Sequence, residues 1–331
     1  MLTRRTALLG TLALGLAARA AAQTRPPSTP KSPHLTQPDP TETIDLWPGR
    51  PPGSPATLPV EQVEERSTDP AYKDRFVTGT SRPRMAVFRP KQPNGAAALI
   101  IPGGGYERVV IDKEGYELAR WLSERGITAF VLFYRLPHQG WADRANTPLA
   151  DAQRAIRLIR NRAGAYQLDP AKVVAIGFSA GGHLCADLMT RFSAAVYPTQ
   201  DAADRLSARP DAAAPCYPVV SLLGAPAHSG SRKNLLGDAP SEALLRAHSP
   251  HLNVPADAPP AFLVHAEDDG AVPVENTLLL RAALRARGIA TETHIFPDGG
   301  HGFGLRLARG KSPEGWQELL HAWARRLGLF A

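Results

Sequence analysis

The chain is 331 residues long, 43% hydrophobic and 21% charged, with a formal net charge of +7, which suits one large α/β domain with a buried sheet. No run of five or six lysines and arginines occurs, so the basic balance speaks for solubility rather than for nucleic-acid binding. Two cysteines, Cys185 and Cys216, are too few for a disulfide-stapled scaffold; both sit in apolar surroundings and are expected to be buried free thiols.

In chain order, Met1-Leu2-Thr3-Arg4-Arg5-Thr6 precedes an apolar segment from Ala7 to Ala18 and the small residues Ala20-Ala21-Ala22. The apolar core is shorter than the roughly 20 residues that cross a bilayer, and its layout predicts a signal peptide over 1–22, cleaved after Ala22. The Arg4-Arg5 pair suits twin-arginine export and equally the basic start of a Sec signal. Its removal lowers the net charge from +7 to +4, because Arg4, Arg5 and Arg19 leave with it. The expectation is a periplasmic or secreted protein with no stable membrane anchor after cleavage. Residues 23–43 are rich in Pro, Thr and Ser and predict an extended, disordered leader, with a single folded domain at 44–331.

From Ile44 onward, strand and helix patterns alternate. Strands are predicted at 84–89, 96–101, 127–134, 172–178, near Val219, 261–266 and 291–296; helices at 114–125, 148–162, 180–192, 274–287 and 313–327; 216–260 reads as loop-rich. Strands separated by helices predict a mainly parallel sheet covered on both faces.

Three segments carry candidate chemistry. Gly177-Phe178-Ser179-Ala180-Gly181 follows the β-branched run Val173-Val174-Ala175-Ile176 and opens an Ala/Leu-rich helix. That strand, tight turn and helix expose a serine for nucleophilic attack, and small neighbours are needed because the turn strains the backbone. A serine hydroxyl needs a base and a carboxylate behind the base. His301, in Pro297-Asp298-Gly299-Gly300-His301-Gly302-Phe303 after a predicted strand, is the expected base. The acid lies in His265-Ala266-Glu267-Asp268-Asp269-Gly270-Ala271-Val272-Pro273, where position alone does not choose among Glu267, Asp268 and Asp269. Pro102-Gly103-Gly104-Gly105-Tyr106 follows another strand and can turn backbone N–H groups toward a developing oxyanion. Gly104, Gly105 and Ala180 are the expected donors. A phosphate-cradling loop is the competing reading, but neither Lys-Ser/Thr nor a G-x-G-x-x-G pattern follows.

With those segments in view, the sequence resembles the α/β-hydrolase superfamily over nearly all of the chain from Ile44. More narrowly, Ile44-Asp45-Leu46-Trp47-Pro48-Gly49, the Pro-Gly-Gly-Gly-Tyr loop, Phe133-Tyr134-Arg135-Leu136, the Ser179 segment through His183, and Val272-Pro273-Val274-Glu275-Asn276 resemble the bacterial carbohydrate esterases of the acetylxylan esterase or xylanase-like hydrolase group. One departure is Pro102, where related lipases and esterases carry histidine. The superfamily's His-Gly-x-x-Asp-x-x-Val-Pro register implies Asp269 as the acid, with Asp268 next. The resemblance implies the α/β-hydrolase fold and a serine esterase acting on an acetylated carbohydrate partner such as xylan, without metal or other cofactor. A dipeptidyl or oligopeptidase-like serine peptidase shares the same motifs, but no propeller-sized segment precedes the domain. A non-catalytic carbohydrate-binding homologue is disfavoured by the filled triad positions. His183 is expected to pack or anchor a loop, Asp151 to form a structural ion pair or cap, and His138 and Trp141 either to meet a sugar ring or to cover the core.

Overall fold

The computed structural model describes residues 38–330. Ten strands are β1 (Thr43–Asp45), β2 (Gln62–Glu65), β3 (Arg75–Thr78), β4 (Arg84–Phe88), β5 (Ala97–Ile101), β6 (Thr128–Phe133), β7 (Val173–Phe178), β8 (Ala212–Cys216), β9 (Ala261–Ala266) and β10 (Thr291–Phe296). Eight of them form one sheet in the order β1-β4-β6-β5-β7-β8-β9-β10, and β2 and β3 form a separate antiparallel pair. β1, β4 and β6 pair antiparallel; from β6 through β10 every pairing is parallel. The helices are α1 (Glu117–Ser123), α2 (Thr147–Asn161), α3 (Ala163–Tyr166), α4 (Ala180–Arg191), α5 (Ser229–Leu236), α6 (Glu242–Ala247), α7 (Glu275–Ala286) and α8 (Trp316–Arg326).

Strands β5, β6, β7 and β9 are buried at every residue, as unbroken apolar runs must be when helices cover both faces of a parallel sheet. The strand expected near Val219 lies earlier, at β8. Its sequence, Ala212-Ala213-Ala214-Pro215-Cys216, has low strand propensity; Pro215 offers no N–H, and β8 is in register with β9 at Ala213 and Cys216. Val219 and Val220 instead lie in a buried loop, where Ser179 O and Asn276 Oδ1 accept their N–H groups.

The helix expected over 114–125 is split. Residues Asp112–Tyr116 form a π-helical turn with non-helical angles at Glu114 (φ −111°, ψ 16°), and α1 starts only at Glu117. The segment read as loop-rich contains α5 and α6, capped by His228 and Ser241. Ordered chain begins before Ile44: Asp39 holds Arg75 at 2.6 and 3.0 Å, Glu42 holds Arg89, and Thr43 already pairs in β1. The predicted signal segment, and the leader up to residue 37, lie outside the described residues. Among the described residues no helix is long and apolar enough to cross a membrane. Cys185 and Cys216 are free and buried, and burial pushes the Cys185 thiol up to about 12.

Asp151 of α2 joins the N-terminal segment to the sheet. Fully buried, it accepts Trp47 Nε1–H at 2.8 Å, Arg135 N–H at 2.8 Å and the Arg135 guanidinium at 2.8–3.0 Å, while Arg135 Nη1 donates to Pro52 O. Trp141, only 4% exposed, packs against Arg135 at 4.9 Å, so its ring covers the core. Truncating Asp151 strands a buried guanidinium and an indole N–H. Asp151→Ala should cost about 3–5 kcal/mol, measured as a fall in the urea midpoint at unchanged slope; a loss under ~1 kcal/mol would show that the pair carries little.

Candidate active site

The turn between β7 and α4 places Ser179 at φ +55°, ψ −117°, a conformation that costs a non-glycine residue of order 1–3 kcal/mol. Its neighbours must be small. A Cβ on Gly177 would stand 2.2 Å from Gly181 O, and one on Gly181 would stand 2.2 Å from Ile101 O and 2.3 Å from Pro102 O. The turn is held by Ser179 N–H to Cys216 O at 3.1 Å, while Ser179 O accepts His183 N–H at 2.9 Å.

Ser179 Oγ lies 2.8 Å from His301 Nε2, and His301 Nδ1 lies 2.7 Å from Asp269 Oδ2. A carboxylate only accepts, so Nδ1 carries the proton and Nε2 is left to accept from the serine hydroxyl. The loop after β9 sorts its three carboxylates. Asp269 Oδ1 accepts the N–H groups of Ala271 and Val272 at 2.9 and 2.8 Å, and Oδ2 also meets His265 Nε2 at 3.1 Å. Burial raises the Asp269 pKa, but the hydrogen bonds from His265 and His301 outweigh it and hold the group well below the ordinary carboxylate range. Asp268 instead accepts Gly300 N–H at 2.7 Å, bracing the histidine loop from outside, and the Glu267 side chain is exposed.

The glycine loop after β5 is pinned at each peptide. Gly103 N–H goes to Glu114 Oε2 at 3.0 Å, Gly104 O accepts from Glu107 and Arg108, and Gly105 O accepts Asn234 Nδ2 at 2.9 Å. Tyr106, at φ +58°, meets His183 Nδ1 through its hydroxyl at 2.7 Å, while His183 Nε2 meets His248 O at 2.8 Å. The carbonyl can only accept, so Nε2 bears the proton and Tyr106 donates to Nδ1. Burial lowers the His183 pKa and keeps the ring neutral, which fits an anchor for the loop. Among the described residues the N–H groups of Gly104 and Gly105 meet no protein acceptor. Ala180 N–H belongs to the first turn of α4, where no intrahelical acceptor exists. Gly104 and Gly105 line the same pocket as Ser179, and Ala180 directly follows Ser179.

A pocket of about 270 Å³ opens over Ser179 and His301, lined also by Gly104, Gly105, Glu114 and His228 and by the basic residues Arg66, Arg108 and Lys113. The sequence reading did not single out Glu114 or His228. Glu114 was hidden as the first residue of an expected helix, and His228 lay in a segment without recognisable periodicity. His228 Nδ1 accepts Ser231 N–H at 3.1 Å, and burial followed by the nearby His301 lowers its pKa. Among the described residues no group of three or more His, Cys, Asp or Glu is placed to hold a metal ion.

The BD-FAE family model matches residues 85–284. The chain is 38% identical over 218 residues to endo-1,4-beta-xylanase B of Butyrivibrio fibrisolvens, covering 66% of this chain and 34% of that protein. It is 32% identical over 231 residues to an acetylxylan esterase of Xylanibacter ruminicola, covering 67% of this chain and 44% of that one. It thus spans between a third and a half of the length of these relatives. Among solved structures, the acetyl ester-xyloside bifunctional hydrolase from Caldicellulosiruptor lactoaceticus superposes with a TM-score of 0.70 at 35% identity, covering 88% of this chain and 98% of that one. Esterase 2 of Thermogutta terrifontis, at 24% identity and a TM-score of 0.63, shares the fold.

The depressed Asp269 pKa fixes a sign. A carboxylate whose folded pKa lies below its unfolded value of 3.8 adds stability above about pH 4, and that stability is lost as pH falls through the folded pKa. Thermal unfolding of the parent and Asp269→Asn should therefore show a gap in Tm that is widest near neutrality and narrows from pH 5 toward pH 2. A gap independent of pH would contradict the stabilisation of the ionised carboxylate by its hydrogen bonds from His265, His301 and the backbone.

Proposed function

The chain belongs to the BD-FAE family and has the α/β-hydrolase fold of esterases, and on that premise we propose that it removes acetyl groups from an acetylated carbohydrate such as xylan through a Ser-His-Asp acyl-enzyme. The observation that carries this reading is the unbroken chain Ser179 Oγ to His301 at 2.8 Å and His301 to Asp269 at 2.7 Å, beside three unpaired backbone N–H groups. Ser179 Oγ attacks the ester carbonyl carbon while its proton passes to His301 Nε2. Asp269 keeps Nδ1–H in place and stabilises the imidazolium that forms. The N–H groups of Gly104, Gly105 and Ala180 receive the oxyanion; a single such donor is worth roughly 10²–10³ in turnover.

Collapse of the tetrahedral species releases the sugar oxygen, which takes its proton from His301, and leaves the acetyl group on Ser179. Water then attacks the acyl carbon as His301 accepts its proton, and acetate departs as Ser179 regains its hydrogen. The acetylxylan esterase and acetyl ester-xyloside hydrolase among its relatives support a carbohydrate substrate. The signal-like segment at 1–22 supports action in the periplasm or outside the cell.

Ser179→Ala should lower hydrolysis of a chromogenic acetyl ester by about 10⁴-fold or more with unchanged circular dichroism; near-normal turnover would remove the serine from the mechanism. Acetate release should be faster from acetylated xylan than from pectin, acetylated mannan or simple aryl acetates. Preference for a non-carbohydrate ester would overturn the substrate while leaving the chemistry in place.

A further inference from the structure

Glu114 is a buried carboxylate beside the nucleophile that the proposed steps do not use. It is 3% exposed, and its position is set by the π-helical turn Asp112–Tyr116, whose one non-helical residue is Glu114 itself. Single π-turns disturb a helix at a cost in regular hydrogen bonding and recur at functional sites. Here the turn aims the carboxylate at the floor of the pocket. A negative charge there opposes an oxyanion forming on the neighbouring N–H groups, so its contribution must come from geometry.

Its two oxygens face two loops. Oε2 accepts Gly103 N–H of the glycine loop at 3.0 Å. Oε1 accepts the Tyr217 hydroxyl at 3.1 Å, and the same hydroxyl oxygen accepts Gly304 N–H of the histidine loop at 3.2 Å. Tyr217 is itself strained, at φ +34°, and its ring stands edge-on to His301 with centroids 5.5 Å apart. The histidine loop rests on the π-turn directly. A Cβ on Gly304 would stand 2.8 Å from Lys113 O, and one on Gly302 would stand 3.3 Å from Glu114 Oε1. The bond to Gly103 also decides which amides remain for the substrate, because it takes Gly103 out of the set and leaves Gly104 and Gly105.

We propose that Glu114 is a positioning residue that ties the oxyanion loop to the histidine loop through Tyr217, holding donors and base at a fixed separation. The inference rests on the esterase reading of Ser179 and His301. Its effect falls on the transition state: a hole displaced relative to the base binds the ground-state ester as before and stabilises the tetrahedral species less.

The test measures kcat and KM on a chromogenic acetyl ester, affinity for an alkyl boronic acid that forms a tetrahedral adduct on the serine, and Tm, for the parent, Glu114→Ala, Glu114→Gln and Tyr217→Phe. Glu114→Ala should lower kcat by ~10²-fold, the scale of one oxyanion donor, with KM within about threefold and boronate affinity weakened in step with kcat. Glu114→Gln, whose amide oxygen can still accept Gly103 N–H, should recover kcat to within about tenfold of the parent. Tyr217→Phe should fall between the two. If Glu114→Ala does not fold, Glu114→Gln and Tyr217→Phe keep the packing and decide the matter. Folded variants with parental kcat and boronate affinity, or losses that only follow the fraction folded, would overturn the positioning role while the esterase reading stands. A parent that hydrolyses no acyl ester would refute that reading instead.

Discussion

Everything at the site follows from how closely the start of α4 approaches the end of β5. With 2.2–2.3 Å from a would-be Gly181 side chain to two backbone carbonyls, helix and strand meet with no room for any atom beyond hydrogen. That approach is what brings the Ala180 N–H alongside the glycine loop and raises Ser179 above the sheet in a strained turn. The strain is borne by the surroundings: Cys216 O, His183 N–H and Val219 N–H all bind the Ser179 peptide groups, so relaxing the turn would break three hydrogen bonds at once.

Three histidines around this turn work as directional struts. A neutral imidazole has one donor and one acceptor on opposite sides, so each ring fixes the direction of whatever it joins. His183 runs from Tyr106 to His248 O, His265 from Thr277 to Asp269, and His301 from Asp269 to Ser179. Two of the three are fully buried, whereas His301 stands partly open to the pocket.

Legibility in the sequence followed local signal strength. Strands β9 and β10 could be placed to the residue: β9 is a mostly apolar run behind Pro259-Pro260, and β10, with β-branched Thr291, Thr293 and Ile295 at alternate positions, lies between Gly288 and Pro297. Strand β8 could not, since alanine and proline carry no strand signature, and its extension comes from pairing with β7 along all five residues, from β9 on its other side and from α4 packed against it. Ser179, His301 and the glycine loop each stood behind a readable strand. The choice of Asp269 over Asp268 came from motif register; what separates them in space is that the amides of Ala271 and Val272 turn toward one and the amide of Gly300 toward the other. Glu114 was illegible because a π-turn leaves no compositional trace, and its partners Gly103, Tyr217 and Gly304 are scattered over 200 residues.

The segment from Leu222 to His248 is fastened at its two ends by side chains reaching to backbone: Asn276 to Val220 and Ser221, Ser249 to Leu222, and His183 to the His248 carbonyl. Between those clasps it contributes Asn234 to the glycine loop, His228 to the pocket wall and Leu235 and Leu236 to the core. Exchanges between the clasps that spare Asn234, Leu235 and Leu236 therefore leave the sheet and the strained turn where they are. The pocket wall at His228 and the turn at Ser179 thus rest on separate fastenings, so that one can be reshaped with the other left standing.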